Sequence, residues 1–193
     1  MPLRVLIIHG TKGSPEGNWF PWLRAALEKD GHDVRVPRFP TPEGQSFESW
    51  RAIAETELKD APPAETLLVG HSTGAVFVLR LAEQAPVPFR AVFSVCPFAA
   101  DLGLAGYDEL NATFVRHDFN WPRVRAGAKA FFFYAGDNDP YVPLRFSQDV
   151  AVRAAGPLAV IPRGGHLNSE HGVASFGLLL RDIRVCAGGL VTG

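Results

Sequence analysis

The sequence predicts an α/β protein: a three-layer α/β/α sandwich around a six-stranded, mostly parallel sheet. Three observations predict it. First, the strand candidates are continuous apolar runs such as Leu3 to Ile8 and Leu67 to Val69 rather than alternating ones, as expected of strands covered on both faces. Second, these runs alternate with helical stretches along the chain, which is the pattern of right-handed crossovers in an open sheet. Third, glycine and proline punctuate nearly every junction, as at Gly31, Pro62-Pro63 and Pro86.

The elements follow in order. Leu3 to Ile8 is the first strand and ends in His9-Gly10. A polar, glycine-rich loop covers Thr11 to Gly17. A helix is expected from Trp19 to Asp30, capped by Asn18 or a neighbour and stopped by Gly31. Asp33 to Val36 is a short strand and Pro37 to Gly44 a proline-rich loop. Ser46, with Glu48 and Ser49 close behind, opens a helix to about Lys59. The strand at Leu67 to Val69 leads into a helix reaching Gln84. Arg90 to Val95 is a strand, and Phe98 to Arg125 is expected to be irregular, with two aromatic patches. Ala130 to Tyr134 and Leu158 to Ile161 are strands, separated by a helix from Leu144 to Ala155. Val173 to Ala187 is the last helix.

Composition bounds the function. The 193 residues suffice for one domain, 1–193, with a substantial core, and 47% of them are hydrophobic. A net charge of −1 and the absence of basic, aromatic-interleaved runs exclude a nucleic-acid-binding class and attraction to an anionic membrane. No stretch approaches the ~20 apolar residues of a membrane span. The N-terminal run is too short for a signal peptide, so a cytoplasmic protein is expected. Cys96 and Cys186 sit in apolar contexts without zinc-ligand spacing, and no metal is expected.

The stretch Leu67-Leu68-Val69-Gly70-His71-Ser72-Thr73-Gly74 joins strand to helix through Gly-x-Ser-x-Gly. In that context the motif is a nucleophile elbow, which lifts a serine hydroxyl above the sheet. The two glycines let the backbones pass closely, and the N–H of Thr73 at the helix start is free to face an oxyanion.

A serine hydroxyl needs a base, and the base needs an orienting group. His166, exposed in a Gly-Gly-His turn after a strand, is the favoured base over His171, which suits a cap or surface position. His9 is expected to brace its loop, His32 to lie at the surface, and His71 to point away from the Ser72 hydroxyl. Asp139, stiffened by Pro140-Tyr141-Val142-Pro143, is favoured as the acid over Asp137, which can hold the turn. Asp101, Asp108 and Asp118 follow no strand and are expected to be solvated. His9, Ser72, Asp139 and His166 all follow strands, so all fall at one end of the sheet.

The order Ser72, Asp139, His166, together with His9-Gly10, Gly-His-Ser-Thr-Gly, Gly-Asp-Asn-Asp-Pro-Tyr-Val-Pro and Gly-Gly-His, resembles the α/β-hydrolase superfamily. Trp19 with Trp22, Trp50, Asp118-Phe119-Asn120-Trp121 and the late Gly-His-Leu-Asn-Ser-Glu run are similar to the small, nearly lidless serine hydrolases typified by retinoblastoma-binding protein nine. The resemblance implies a strand order 2-1-3-4-5-6, a minimal lid and no cofactor. It also implies a second oxyanion N–H at Thr11 and hydrolysis of a small ester or amide. Trp19, Phe98 and Trp121, with Trp22 and Phe119, are candidates for the acyl pocket, each equally accounted for by core packing. Two other classes compete. One is a protein-interaction module on a hydrolase scaffold, since fold does not fix function. The other is a metal-dependent hydrolase, for which the required His-Glu-x-x-His spacing is missing.

Overall fold

The computed structural model describes residues 2–188; the outermost positions of the expected 1–193 domain lie outside the described residues. Six strands form one sheet: β1 Arg4–Ile8, β2 Asp33–Arg35, β3 Thr66–His71, β4 Ala91–Val95, β5 Phe131–Gly136 and β6 Leu158–Ile161. Their order is β2-β1-β3-β4-β5-β6 and every pairing is parallel. The order reverses between β1 and β3, which opens a crevice at their carboxyl ends.

Side-chain alternation along the strands builds two cores. Val5, Ile7, Leu67, Val69 and Phe93 face α1 (Phe20–Lys29) and α7 (Gly177–Ala187), meeting Leu23, Leu27, Leu179 and Ile183. Leu6, Ile8, Leu68, Val92 and Phe133 face the other way, toward α2 (Phe47–Leu58), α3 (Thr73–Gln84) and α6 (Leu144–Ala154). The result is the three-layer sandwich the apolar runs predict. Ser46 caps α2 through a reciprocal box with Ser49, as its sequence suggests.

The local expectations fail at two places. Phe98 to Arg125 is not irregular: it holds α4 (Ala105–Val115) and α5 (Trp121–Ala126). The helical period of α4 is masked because its polar residues Asp108 and Asn111 are buried alongside Phe114 and Val115. Asp108 is therefore not solvated; its Oδ1 accepts from Leu102 N at 2.7 Å and fixes the turn into α4. Nor does Asn18 cap α1: its neighbour Trp19 holds the cap position and makes no side-chain capping bond. Asn18 Oδ1 instead accepts from Ser169, joining the loops after β1 and β6.

The two extra helices cover α3, whose residues Thr73 to Glu83 are all buried. A buried ion pair locks the cover down. Arg80 Nη1 donates to Thr113 O and Phe114 O, and its guanidinium lies 4.1 Å from the Phe47 ring. Glu83 lies beside it, with Oε2 3.5 Å from Arg80 Nε, and Glu83 Oε1 accepts from Asn120 N at 2.6 Å. Both side chains are only 8% exposed; Glu83 Oε2 also lies 2.9 Å from His117 Nε2, and Arg80 depends on Glu83 for charge compensation.

Candidate active site

Ser72 sits between β3 and α3 with φ 58° and ψ −120°, a conformation that non-glycine residues rarely adopt. The chain is held there from both sides. Ser72 N donates to Val95 O at 2.8 Å, extending the β3–β4 ladder. A Cβ on Gly70 would come within 2.2 Å of Gly74 O, and one on Gly74 within 2.4 Å of Ile8 O. Only glycine allows the strand, the turn and β1 to approach this closely.

Asp139 and His166 come from the loops after β5 and β6. His166 Nδ1 donates to Asp139 Oδ2 at 2.7 Å, with the carboxylate 1% and the imidazole 7% exposed. Asp139 Oδ1 accepts from Tyr141 N at 2.9 Å and Val142 N at 3.0 Å, so the Pro140–Pro143 turn fixes the carboxylate direction. Burial works to raise the Asp139 pKa, but the His166 bond and charge and the two backbone N–H groups outweigh it and hold it below the usual carboxylate value. With its Nδ1 hydrogen directed at Asp139, His166 keeps the Nε2 lone pair as an acceptor.

The loops themselves are braced. Asp137 Oδ1 accepts from Arg163 N at 2.7 Å and Asn138 Oδ1 from Gly165 N at 2.8 Å, so Asp137 ties the β5 loop to the β6 loop rather than holding its own turn. His171 closes its own short turn, with Nδ1 2.7 Å from Asn168 Oδ1. His9 braces as expected, accepting from Phe39 N through Nε2.

His71 has a larger part than its sequence position suggests. Its Nε2 lies 2.8 Å from His166 O; a carbonyl only accepts, so Nε2 carries the hydrogen. The two imidazoles stand 4.8 Å apart. Complete burial, followed by the repulsion of His166, lowers the His71 pKa to about 3 and keeps it neutral. It supports His166 from below without competing for the Asp139 charge.

Ser72, Thr73, Thr11 and His166 open on a cavity of about 250 Å³, whose other walls come from the β1–α1 loop, α4 and the Asp139 loop. Thr11 N and Thr73 N donate to no protein group among the described residues. Phe98 lines the cavity. Trp19 and Trp121 do not. Trp19 is fully buried in the α1–α7 core, where Nε1 donates to Leu167 O at 2.9 Å and so anchors the His166 loop. Trp121 stacks on Phe119 and packs against the opposite core, and Trp22 is likewise a packing residue. Their indoles satisfy packing, the alternative open to them from the start. Sequence reasoning missed Leu102, Leu104, Tyr107 and Asn111, in or before α4, and also Lys12 and Asn18 after β1, Tyr141 and Val142 beside Asp139, and Asn168 and Glu170 beside His166.

His71, Cys96 and His166 place one ligand atom each within 4.8 Å of one another, the set among the described residues best placed for a cation. The two imidazoles bond elsewhere, His71 to His166 O and His166 to Asp139, while burial and the Asp139 charge push the Cys96 pKa well up. A cation would have to displace those bonds.

An all-parallel sheet in this order, with a strained serine after β3 and an Asp–His pair from the loops after β5 and β6, defines the chain as an α/β hydrolase. A family model described as serine hydrolase matches residues 5–182, and the chain belongs to that family. It is 30% identical over 182 residues to the YdeN protein of Bacillus subtilis (strain 168), covering 91% of this chain and 92% of that one. It is 26% identical over 171 residues to the serine hydrolase RBBP9 of Rattus norvegicus, covering 87% and 89%. The crystal structure of the B. subtilis ydeN gene product superposes with a TM-score of 0.88 at 26% identity, covering 96% of this chain and 99% of that one. Alpha/beta hydrolase domain-containing protein 10 from mouse shares the fold, with a TM-score of 0.68 at 18% identity over 94% and 88% of the two chains.

Proposed function

We propose that the protein cleaves a small ester or amide through an acyl-enzyme, with Ser72 as nucleophile, His166 as general base and acid, and Asp139 as orienting acid. The observation that carries this reading is the 2.7 Å bond between His166 Nδ1 and a buried, ionised Asp139, in a cavity shared with a conformationally strained serine. Ser72 Oγ attacks the acyl carbonyl while His166 Nε2 takes its proton. The N–H groups of Thr73 and Thr11 face the oxygen that becomes negative. His166 then protonates the leaving group, which departs, and activates water to release the acid and free Ser72. Asp139 stays ionised and stabilises the imidazolium.

No part of this scheme uses a cofactor or a metal. No helix among the described residues is long and apolar enough to cross a membrane. The cavity of about 250 Å³ beside Ser72 suits a small-molecule substrate. The test is hydrolysis of a p-nitrophenyl ester series and of matched aminoacyl amides by wild type and Ser72→Ala. Loss of turnover in Ser72→Ala, with the same circular dichroism as wild type, supports the assignment. Equal turnover by the two proteins overturns it.

A further inference from the structure

The base of the cavity carries a hydrogen-bond donor that the triad scheme does not use. Asn111, on α4, is 3% exposed and lines the cavity with Ser72 and Thr73. Which end of its carboxamide faces the cavity follows from a chain of obligatory partners. Gln45 bonds Leu110 O at 2.9 Å; a carbonyl only accepts, so that Gln45 atom is Nε2. The other end of Gln45 accepts from Thr41 Oγ1 at 2.6 Å, in agreement. Gln45 Nε2 also donates to Thr11 Oγ1 at 2.8 Å, and the Asn111 atom 3.1 Å from it is Oδ1, since the flipped carboxamide would set two NH2 groups against each other.

That oxygen also accepts from Thr11 Oγ1 at 2.7 Å and Thr73 Oγ1 at 2.8 Å. Asn111 therefore ties together the two segments whose N–H groups face the proposed oxyanion. Asn111 Nδ2 finds no protein partner among the described residues. Nor is it sealed in: Arg80 Nε is the fully buried side-chain polar atom there that lacks a hydrogen bond. For a residue this buried, the cavity it lines is the route from Nδ2 to solvent.

We infer that Asn111 Nδ2 is a specificity-determining donor, which selects acyl groups carrying a neutral acceptor oxygen a few atoms from the scissile carbonyl: alkoxy-, hydroxy- or oxo-acyl esters or amides. Phe98, Leu102, Leu104 and Val142 supply the apolar part of the lining, beside the polar groups of Thr11, Tyr107 and Tyr141. A purely aliphatic acyl chain displaces water from Nδ2 and leaves the donor unpaired, whereas an oxygen at the right position restores the bond. The inference rests on the acyl-hydrolase reading for its meaning, but its test does not need turnover.

The test titrates Ser72→Ala protein with methoxyacetamide and butanamide, near-isosteres that differ by one oxygen for one methylene. The side-chain amide resonances of Asn111 are followed by 15N NMR and assigned by their loss in Asn111→Asp. Asn111→Asp keeps an acceptor for Thr11, Thr73 and Gln45, replaces the Nδ2 donor by an oxygen and adds a carboxylate charge, which acts on both neutral amides and so leaves their affinity ratio as the readout. The ratio of methoxyacetamide to butanamide affinity is expected to be about fivefold higher in Ser72→Ala than in Ser72→Ala/Asn111→Asp, the scale of one neutral hydrogen bond. The Asn111 resonances are expected to shift with methoxyacetamide and not with butanamide. An unchanged ratio, equal shifts with both amides, or no binding of either overturns the inference. If the double variant does not fold, the resonance shifts decide alone. Hydrolysis of p-nitrophenyl butanoate by wild type and its loss in Ser72→Ala score the triad reading separately.

Discussion

His71 makes the stability of the protein depend on pH in a way that can be isolated. Its folded-state pKa is about 3, against an ordinary value of ~6.5 for an unfolded histidine. Between those values the unfolded chain binds a proton that the folded chain does not, so stability is full above pH 6.5 and falls as the pH drops toward 3. At pH 5 the loss depends only on the unfolded pKa, as long as the folded value lies well below 5; linkage gives about 2 kcal/mol less stability at pH 5 than at pH 8. His9 and His32, whose pKa values burial also lowers, add to the total loss, so a variant is needed to isolate His71. His71→Gln keeps a neutral donor for His166 O and removes the titration. Urea unfolding of wild type and His71→Gln at pH 8 and pH 5 reads the difference. The loss between the two pH values is expected to be about 2 kcal/mol smaller in the variant. The same loss in both proteins would refute the claim that His71 is held neutral beneath His166.

Further outcomes follow from the same geometry. Glu83→Ala leaves the Arg80 charge uncompensated under α4 and α5 and should cost about 3–5 kcal/mol in urea unfolding, while an exposed pair such as Arg24–Glu28 should cost less than about 1 kcal/mol when broken. Asp139→Asn should lower kcat toward ester substrates by about four orders of magnitude, through loss of the His166 tautomer, with circular dichroism unchanged. Cys96, fully buried and with its pKa pushed well up, should resist a disulfide reagent at pH 8 in the native protein and react on unfolding in urea.

What the sequence revealed and what it hid divide along physical lines. Strands buried on both faces announce themselves as apolar runs, and β6 runs from Leu158 to Ile161 as its residues suggest. A strand-ending residue needs no knowledge of tertiary packing to be placed at the sheet's carboxyl edge, so Ser72, Asp139 and His166 were legible as neighbours. The structure brings Asp139 and His166 into contact across 27 residues of chain. Side chains that point inward at loops were not legible. Trp19 and Trp121 share their residue type with ligand-lining aromatics, and only the packing around them separates the two uses. Asn111 and Asp108 broke the apolar period of α4 because each is buried for its hydrogen bonds. That same burial hid both the helix and the cavity wall it forms. His71 was expected to avoid the Ser72 hydroxyl; its bond to His166 O depends on a loop 95 residues away.

The central claim is that Ser72 is an activated nucleophile. Labelling wild type and Ser72→Ala with a fluorophosphonate probe, and locating the adduct by peptide mass spectrometry, tests it directly. A single covalent adduct on Ser72 in wild type and none in the variant is the expected result. A folded wild-type protein that takes no label, or one labelled equally in Ser72→Ala, would contradict it.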